Sequence, residues 1–238
     1  MEPSASAYSI PLEAAPPEVR AAYLRRVLGL VLVGLTITAL TGVIAMFGIA
    51  MVPQILSGYM PTILILGCWA VTNYVAPRMV FGDAKWGGFI LGTMFQGASL
   101  GFLLLFAIVL SKQQYGDPFY LIFTALGLTV LSGLGLTLYA TTQRRDFSML
   151  GAALSVIGLP MMVLMAVSFG FPGLLGGTAG LVVSAIFVLV SAAGLLYQIN
   201  RVLHQYNADM HMEGAYTITI GVVVLFWNIL SLLMRRRR

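Results

Sequence analysis

The chain alternates seven long apolar stretches with short polar connections, and this pattern extends over most of its 238 residues. Each stretch is about 20 residues or longer, which is the length that an α-helix needs to cross a bilayer core of about 30 Å. In lipid a single span can satisfy its backbone hydrogen bonds only as a helix, so the stretches are predicted to be transmembrane helices. The predicted spans are 27–51, 57–76, 87–110, 119–141, 149–171, 177–199 and 216–234.

The seven spans leave no room for a separate soluble domain. Hydrophobic residues make up 59% of the chain and charged residues 9%, whereas a soluble domain carries about 25% charged residues. We therefore predict an all-α integral membrane protein that forms a seven-transmembrane-helix bundle. Its parts are a cytosolic N-terminal tail at 1–26, the membrane domain at 27–234 and a basic C-terminal end at 235–238.

The positive charges predict the orientation of the bundle. Arginines precede the first span, and further Lys and Arg residues lie in the alternate connections on the same side, whereas the opposite side has only Lys112 before the terminus. The positive-inside rule therefore places the N-terminus in the cytoplasm. Seven crossings would put the arginines at 235–238 on the other side, against that rule, so the side of the C-terminus stays open. The cytoplasmic residues are Arg20, Arg25, Arg26, Arg78, Lys85, Arg144, Arg145 and Arg201.

The acidic residues limit the chemistry that is available inside the membrane. Carboxylates are the usual intramembrane groups for binding cations and relaying protons, and all of them are predicted to lie in the tail or the connections. No Ser/His, paired-Asp or His-Glu-x-x-His arrangement falls at membrane depth, so we predict no enzyme, no metal site and no cofactor. Cys68 is the single cysteine, and His204 and His211 share one predicted loop. The acidic residues are Glu2, Glu13, Glu18, Asp83, Asp117, Asp146, Asp209 and Glu213.

The last span carries small and polar residues on one helical face. Thr217, Gly221, Val224, Asn228 and Ser231 follow one another in steps of three and four, which is the repeat of one side of a helix. We predict that this polar stripe is buried among the neighbouring helices.

Amide side chains in four of the spans have two interpretations. Gln198, Asn228, Gln96 and Asn73 could line a water-accessible cavity, or they could hydrogen-bond between helices, at roughly 0.6–2 kcal/mol each. Amides carry no charge, so they could coordinate a passing cation in part but could not hold a divalent ion tightly or store a proton. Arg201, at the end of the sixth span, is explained by the helix macrodipole and by snorkelling to the interface.

Three stretches resemble the Bax-inhibitor-like family, also called the transmembrane Bax inhibitor motif family, and in particular its bacterial members. One is 22–42, where an Arg-Arg pair precedes a Gly/Leu/Thr-rich first span, and another is YATTQRRDFSMLG at 139–151. The third combines YQINRV at 197–202 with VLFWNILSLL at 224–233, which is similar to the asparagine-centred final helix of the family. The number of spans and the order of the loops agree along nearly the whole chain.

The resemblance implies a fold in which the last helix is central and the other six surround it. It also implies a calcium leak coupled to pH, together with links to stress and membrane-protein quality control. In the family this leak depends on two facing membrane aspartates, and the matching positions here are Gln198 and, counting back from Asn228, Leu225. Gln and Leu cannot share a proton as two close carboxylates do, so the resemblance carries over the fold but not the pH-gated mechanism.

Two functions follow as hypotheses. The first is an ion leak channel or transporter-like scaffold of the calcium type, active in stress response in the cytoplasmic (inner) membrane. The alternative is a non-conducting regulator of membrane-protein quality control that binds a membrane-anchored protease. The net charge of +5 is explained by topology, so nucleic acid is not an expected partner, while the lipid bilayer is. The transported species and the oligomeric state stay open. The candidate cavity residues are Gln198, Asn228, Gln96, Asn73, Leu225 and Arg201.

Overall fold

The computed structural model describes residues 12, 15–56, 58–142, 150–151, 153–154 and 177–235. Six helices in these ranges are long and apolar enough to cross a membrane, and each matches one predicted span. The all-α fold is thus confirmed for this part of the chain. The fifth predicted span, 149–171, lies almost entirely outside the described residues, so a transmembrane helix there, the seventh in total, stays a prediction. The helices are α1 (Pro17–Met51), α2 (Met60–Val80), α3 (Lys85–Tyr115), α4 (Tyr120–Thr142), α5 (Gly177–His204) and α6 (His211–Arg235).

The first helix begins well before the predicted first span. α1 has 35 residues and is about 52 Å long, so it extends beyond a bilayer core of about 30 Å. Pro17 occupies its first turn, where a missing N–H costs nothing, and Glu18 in the same turn complements the helix dipole. Before the helix, the backbone N–H of Leu12 donates to the carbonyl of Tyr206 (3.0 Å), so this part of the N-terminal tail packs on the loop between α5 and α6.

The last helix is central among the described helices. α6 packs against α1, α3, α4 and α5 and touches the end of α2, as the family resemblance implies. It has 25 residues, which makes it about 37 Å long, enough for a full crossing. Arg235, at its far end, and Glu213, in its first turn, therefore lie at opposite ends of the bundle.

The buried side of α6 differs from the predicted one. Val223, Phe226 and Leu230, on the face opposite the polar stripe, are all buried, whereas Val224 of the stripe is 38% exposed. Of the stripe only Gly221 is buried, so the prediction that the whole stripe is buried is wrong. The reason is that α6 is enclosed on several sides, and the large apolar side chains fill the spaces between it and its neighbours.

Small residues of α3 allow α1 to approach very closely. A Cβ added at Gly97 would collide with Oγ1 of Thr41 and with the backbone carbonyl of Thr38. A Cβ at Gly101 would lie 2.7 Å from the Cβ of Ala45. These glycines therefore serve the packing of helices within one bundle, where small residues let backbones come together.

Candidate functional site

The two positions at which the resemblance implies an aspartate pair, Gln198 and Leu225, carry no charge and belong to a close contact between α5 and α6. Leu225 is completely buried and lies in the same apolar core as Leu195. Gln198 is half-buried, and its Oε1 fills the space above Gly221, where a Cβ would overlap it. At the α5–α6 contact, the side chain of Gln198 therefore packs on Gly221, and apolar side chains pack beside them.

The amide oxygen of Gln198 is the most unusual polar atom of this contact. Oε1 is buried, yet it accepts no hydrogen bond from any of the described residues. A buried polar atom without a partner costs about 1–3 kcal/mol, so Gln198 is a costly residue for packing alone.

The other candidate amides do not join Gln198 in a hydrogen-bonded network within the described ranges. Nδ2 of Asn228 donates to the carbonyl of Val224 on its own helix (3.0 Å), and Nδ2 of Asn73 donates to the carbonyl of Trp69 (2.9 Å). Asn73 is exposed on α2, whereas Gln96 is buried on α3. A cavity lined by these amides stays a prediction.

Arg201 contacts an aromatic side chain in addition to the effects predicted for it. Its guanidinium carbon lies 5.5 Å from the centre of the Tyr206 ring, and the ring of Phe81 meets Tyr206 edge-on at 6.4 Å. A cation–π contact at an exposed site contributes about 0.5–1 kcal/mol. The three side chains connect the end of α5 to the loop before α6 and to the turn between α2 and α3.

The sequence-based interpretation missed a buried carboxylate at the start of α6 that pairs with a half-exposed lysine. Glu213 was predicted to lie in a connection, but α6 begins at His211 and Glu213 is only 3% exposed. Its Oε1 lies 2.7 Å from Nζ of Lys85, the first residue of α3, whose side chain is 40% exposed. The carboxylate is also favourable near the positive end of the helix dipole. The described bundle thus has a buried carboxylate, held by a lysine of another helix.

The surroundings of Glu213 come from three helices and a loop. Its Oε2 is buried and has no hydrogen-bond partner among the described residues. The Tyr23 hydroxyl of α1 donates to the carbonyl of Met210 (3.5 Å), and it lies 2.7 Å from where a Cβ of Gly214 would be. Asp209 in the loop interacts electrostatically with both Lys85 and Tyr23. The carboxylate is therefore enclosed, and removing Lys85 would leave its charge in a poorly solvated place.

One signal in the sequence could have indicated Glu213. The polar stripe of the last helix, extended backwards from Gly221 through Thr217 by steps of four, reaches Glu213. Its Lys85 partner could not be found in this way, because 128 positions separate the two residues and only the packing of α3 on α6 brings them together.

The acidic, histidine and cysteine side chains of the described residues do not gather into a group that could hold a metal ion. Within 15–56, 58–142 and 177–235, no three His, Cys, Asp or Glu side chains are grouped so that they could hold one. Glu213 is already paired with a lysine, and a cation beside that ammonium group would be repelled.

The whole membrane part of the chain matches a known protein family. Residues 20–238 match a family model described as "Inhibitor of apoptosis-promoting Bax1". The chain belongs to the Bax inhibitor family. It is a multipass membrane protein, and the members of this family are generally not enzymes. The family assignment agrees with the resemblance at 139–151, 197–202 and 224–233. A comparison with curated proteins found no match.

Proposed function

We propose that this Bax inhibitor family member is a regulator that binds other membrane proteins and does not pass calcium through a pH-gated carboxylate pair. One observation carries the proposal: Leu225 is completely buried in an apolar core, and Gln198 packs against Gly221. Neither residue can gain or lose a proton near neutral pH, so pH cannot switch the contact at these two positions.

The proposed setting is the cytoplasmic membrane of a bacterium, with the N-terminus inside the cell. This orientation rests on the distribution of Lys and Arg. A partner is expected among membrane-anchored proteins of quality control, such as a protease, because the family resemblance implies that role. Crosslinking in native membranes should then yield a stoichiometric complex with such a protein.

An ion leak is the second candidate function. It is favoured by the buried Oε1 of Gln198, which no described protein group satisfies, because an amide oxygen can coordinate a water molecule or a cation in transit. Gln96 and Asn228 would belong to the same path. This candidate predicts flux that changes when Gln198 or Asn228 is replaced by alanine.

Calcium flux into proteoliposomes at two pH values separates the two functions. We expect the wild-type protein to show no pH-dependent flux above that of empty liposomes. A double variant, Gln198→Asp with Leu225→Asp, restores the carboxylate pair and is expected to leak with pH dependence if the fold is a channel scaffold.

The control for this experiment is the uncharged pair Gln198→Asn with Leu225→Asn, which changes shape and polarity at the same positions without adding a titratable group. Flux from the wild type that exceeds that of empty liposomes and equals that of the aspartate variant would contradict the regulator proposal. In that case the Gln198→Ala and Asn228→Ala variants test whether the amides form the path.

A further inference from the structure

α2 contains a π-helical turn, Val71–Val75, which ends two residues before Pro77. In this turn the backbone N–H of Ala76 donates to the carbonyl of Val71, five residues earlier. In a regular α-helix the same N–H would donate to the carbonyl of Thr72, four residues earlier. The turn therefore shifts the hydrogen-bond register of α2 by one residue.

Pro77 leaves one carbonyl of α2 without a backbone donor in either register. Proline has no N–H, so in the α register the unpaired carbonyl would be that of Asn73, four residues before it. In the π register it is that of Thr72, five residues before it. Because no lipid group can replace a lost backbone hydrogen bond, the register depends on which carbonyl finds a donor elsewhere in the protein.

Tyr216 of α6 supplies that donor to Thr72. Its hydroxyl donates to the Thr72 carbonyl at 2.5 Å, and this bond is buried. The ring reaches this place because Gly92 of α3 has no side chain, since a Cβ there would lie 2.5 Å from the ring. Phe89 meets the ring edge-on, with 6.4 Å between the centroids. The contact is thus formed by three helices together.

We propose that α2 is a two-register hinge and that the hydroxyl of Tyr216 holds it in the π register. When this bond is lost, the α register becomes competitive, with the Asn73 carbonyl as its unpaired group. Each register then leaves one carbonyl without a donor, at Thr72 or at Asn73, and the π register has lost the bond that favoured it. A change of register by one residue rotates the first part of α2, Met60–Ala70, by about 100° relative to α3.

The ion pair of Glu213 supports the same arrangement. Glu213 lies one turn before Tyr216 on α6, and residues three apart share a side of a helix. Its contact with Lys85 fixes the beginning of α6 to the beginning of α3 at 2.7 Å. The turn of α6 that presents the hydroxyl to Thr72 is thus held in place from α3. π turns inside α-helices are frequent at functional sites, in line with a movable α2.

The native Cys68 reports the rotation, because it is the single cysteine, lies within Met60–Ala70 and is half-buried. The experiment measures its alkylation rate by a membrane-permeable maleimide in proteoliposomes. Tyr216→Phe removes only the hydroxyl and is expected to shift the equilibrium between the registers about fivefold toward the α register, which changes the alkylation rate. Tyr120→Phe, the same substitution in α4, is expected to leave it unchanged.

Pro77→Ala provides the decisive second variant, because it returns an N–H to position 77. In the Pro77→Ala background, Thr72 has a backbone donor, so Tyr216→Phe should no longer change the Cys68 rate. The proposal is overturned if Tyr216→Phe behaves like Tyr120→Phe, or if Pro77→Ala fails to suppress its effect. If Tyr216→Phe alone does not fold, folding of the double variant supports the proposal, and its failure to fold contradicts it. These outcomes do not depend on whether the protein conducts ions.

Discussion

Replacing Gly97 by alanine is expected to destabilise the bundle by about 3 kcal/mol, at the upper end of what overpacking costs. The added methyl group would enter the contact between α3 and α1, where it meets Oγ1 of Thr41 and the carbonyl of Thr38. The Thr41 hydroxyl is itself bonded to the carbonyl of Ile37 at 2.8 Å, and the Thr38 carbonyl belongs to the backbone of α1. The substitution can therefore be accommodated only by moving α1 away from α3.

The effect should spread along the α1–α3 contact. Oγ1 of Thr38 donates to the carbonyl of Thr93 across the two helices at 3.2 Å, and separating the helices would break this buried bond. The measurement is the free energy of unfolding in mixed micelles, together with the thermal midpoint in detergent.

Gly127→Ala in α4 is the matched control for Gly97→Ala. Apart from the neighbouring backbone of α4, no atom of the described residues lies within 4 Å of the place that a Cβ would take at Gly127. Alanine is also the better helix former, so this control should be neutral or slightly stabilising. Equal stability of the Gly97 and Gly127 variants would show that α1 and α3 are not in close contact in the membrane.

Lys85→Met should destabilise the protein by about 2 kcal/mol, because it leaves the Glu213 carboxylate buried without its cation. Breaking a fully buried pair costs about 3–5 kcal/mol, and the smaller value is expected here because the lysine side chain is 40% exposed. The free energy of unfolding is again the quantity to measure.

A second substitution separates the effect of the unpaired Glu213 charge from the effect of removing the lysine side chain. Glu213→Gln in the Lys85→Met background removes the unpaired charge, so the double variant should regain most of the lost stability. Lys112→Met, at the other end of α3 and exposed, is the control for the substitution itself and should change little. If Glu213→Gln does not restore the stability lost in Lys85→Met, the ion pair does not determine the stability of the bundle where α3 and α6 begin.

The site was predictable only in part. That Gln198 and Leu225 stand where the resemblance implies a carboxylate pair could be predicted from short motifs in the sequence, because such motifs are local. The positions of the amides within the bundle did not follow, because Asn73 is exposed and Asn228 bonds to its own helix. Glu213 was assigned to a connection because an acidic residue near a span end is normally solvated, and only the contact with Lys85 explains its burial.

The sequence by itself determined which segments become helices and to which family the chain belongs. A lipid environment forces each apolar stretch to satisfy its own backbone, so the six described helices could be recognised from length and composition alone. The tertiary structure decided how each helix is rotated, because the packing of side chains from neighbouring helices selects the face that is buried. The burial of Val223 instead of Val224, the Gly97 contact with α1 and the bond from Tyr216 to Thr72 all depend on that rotation.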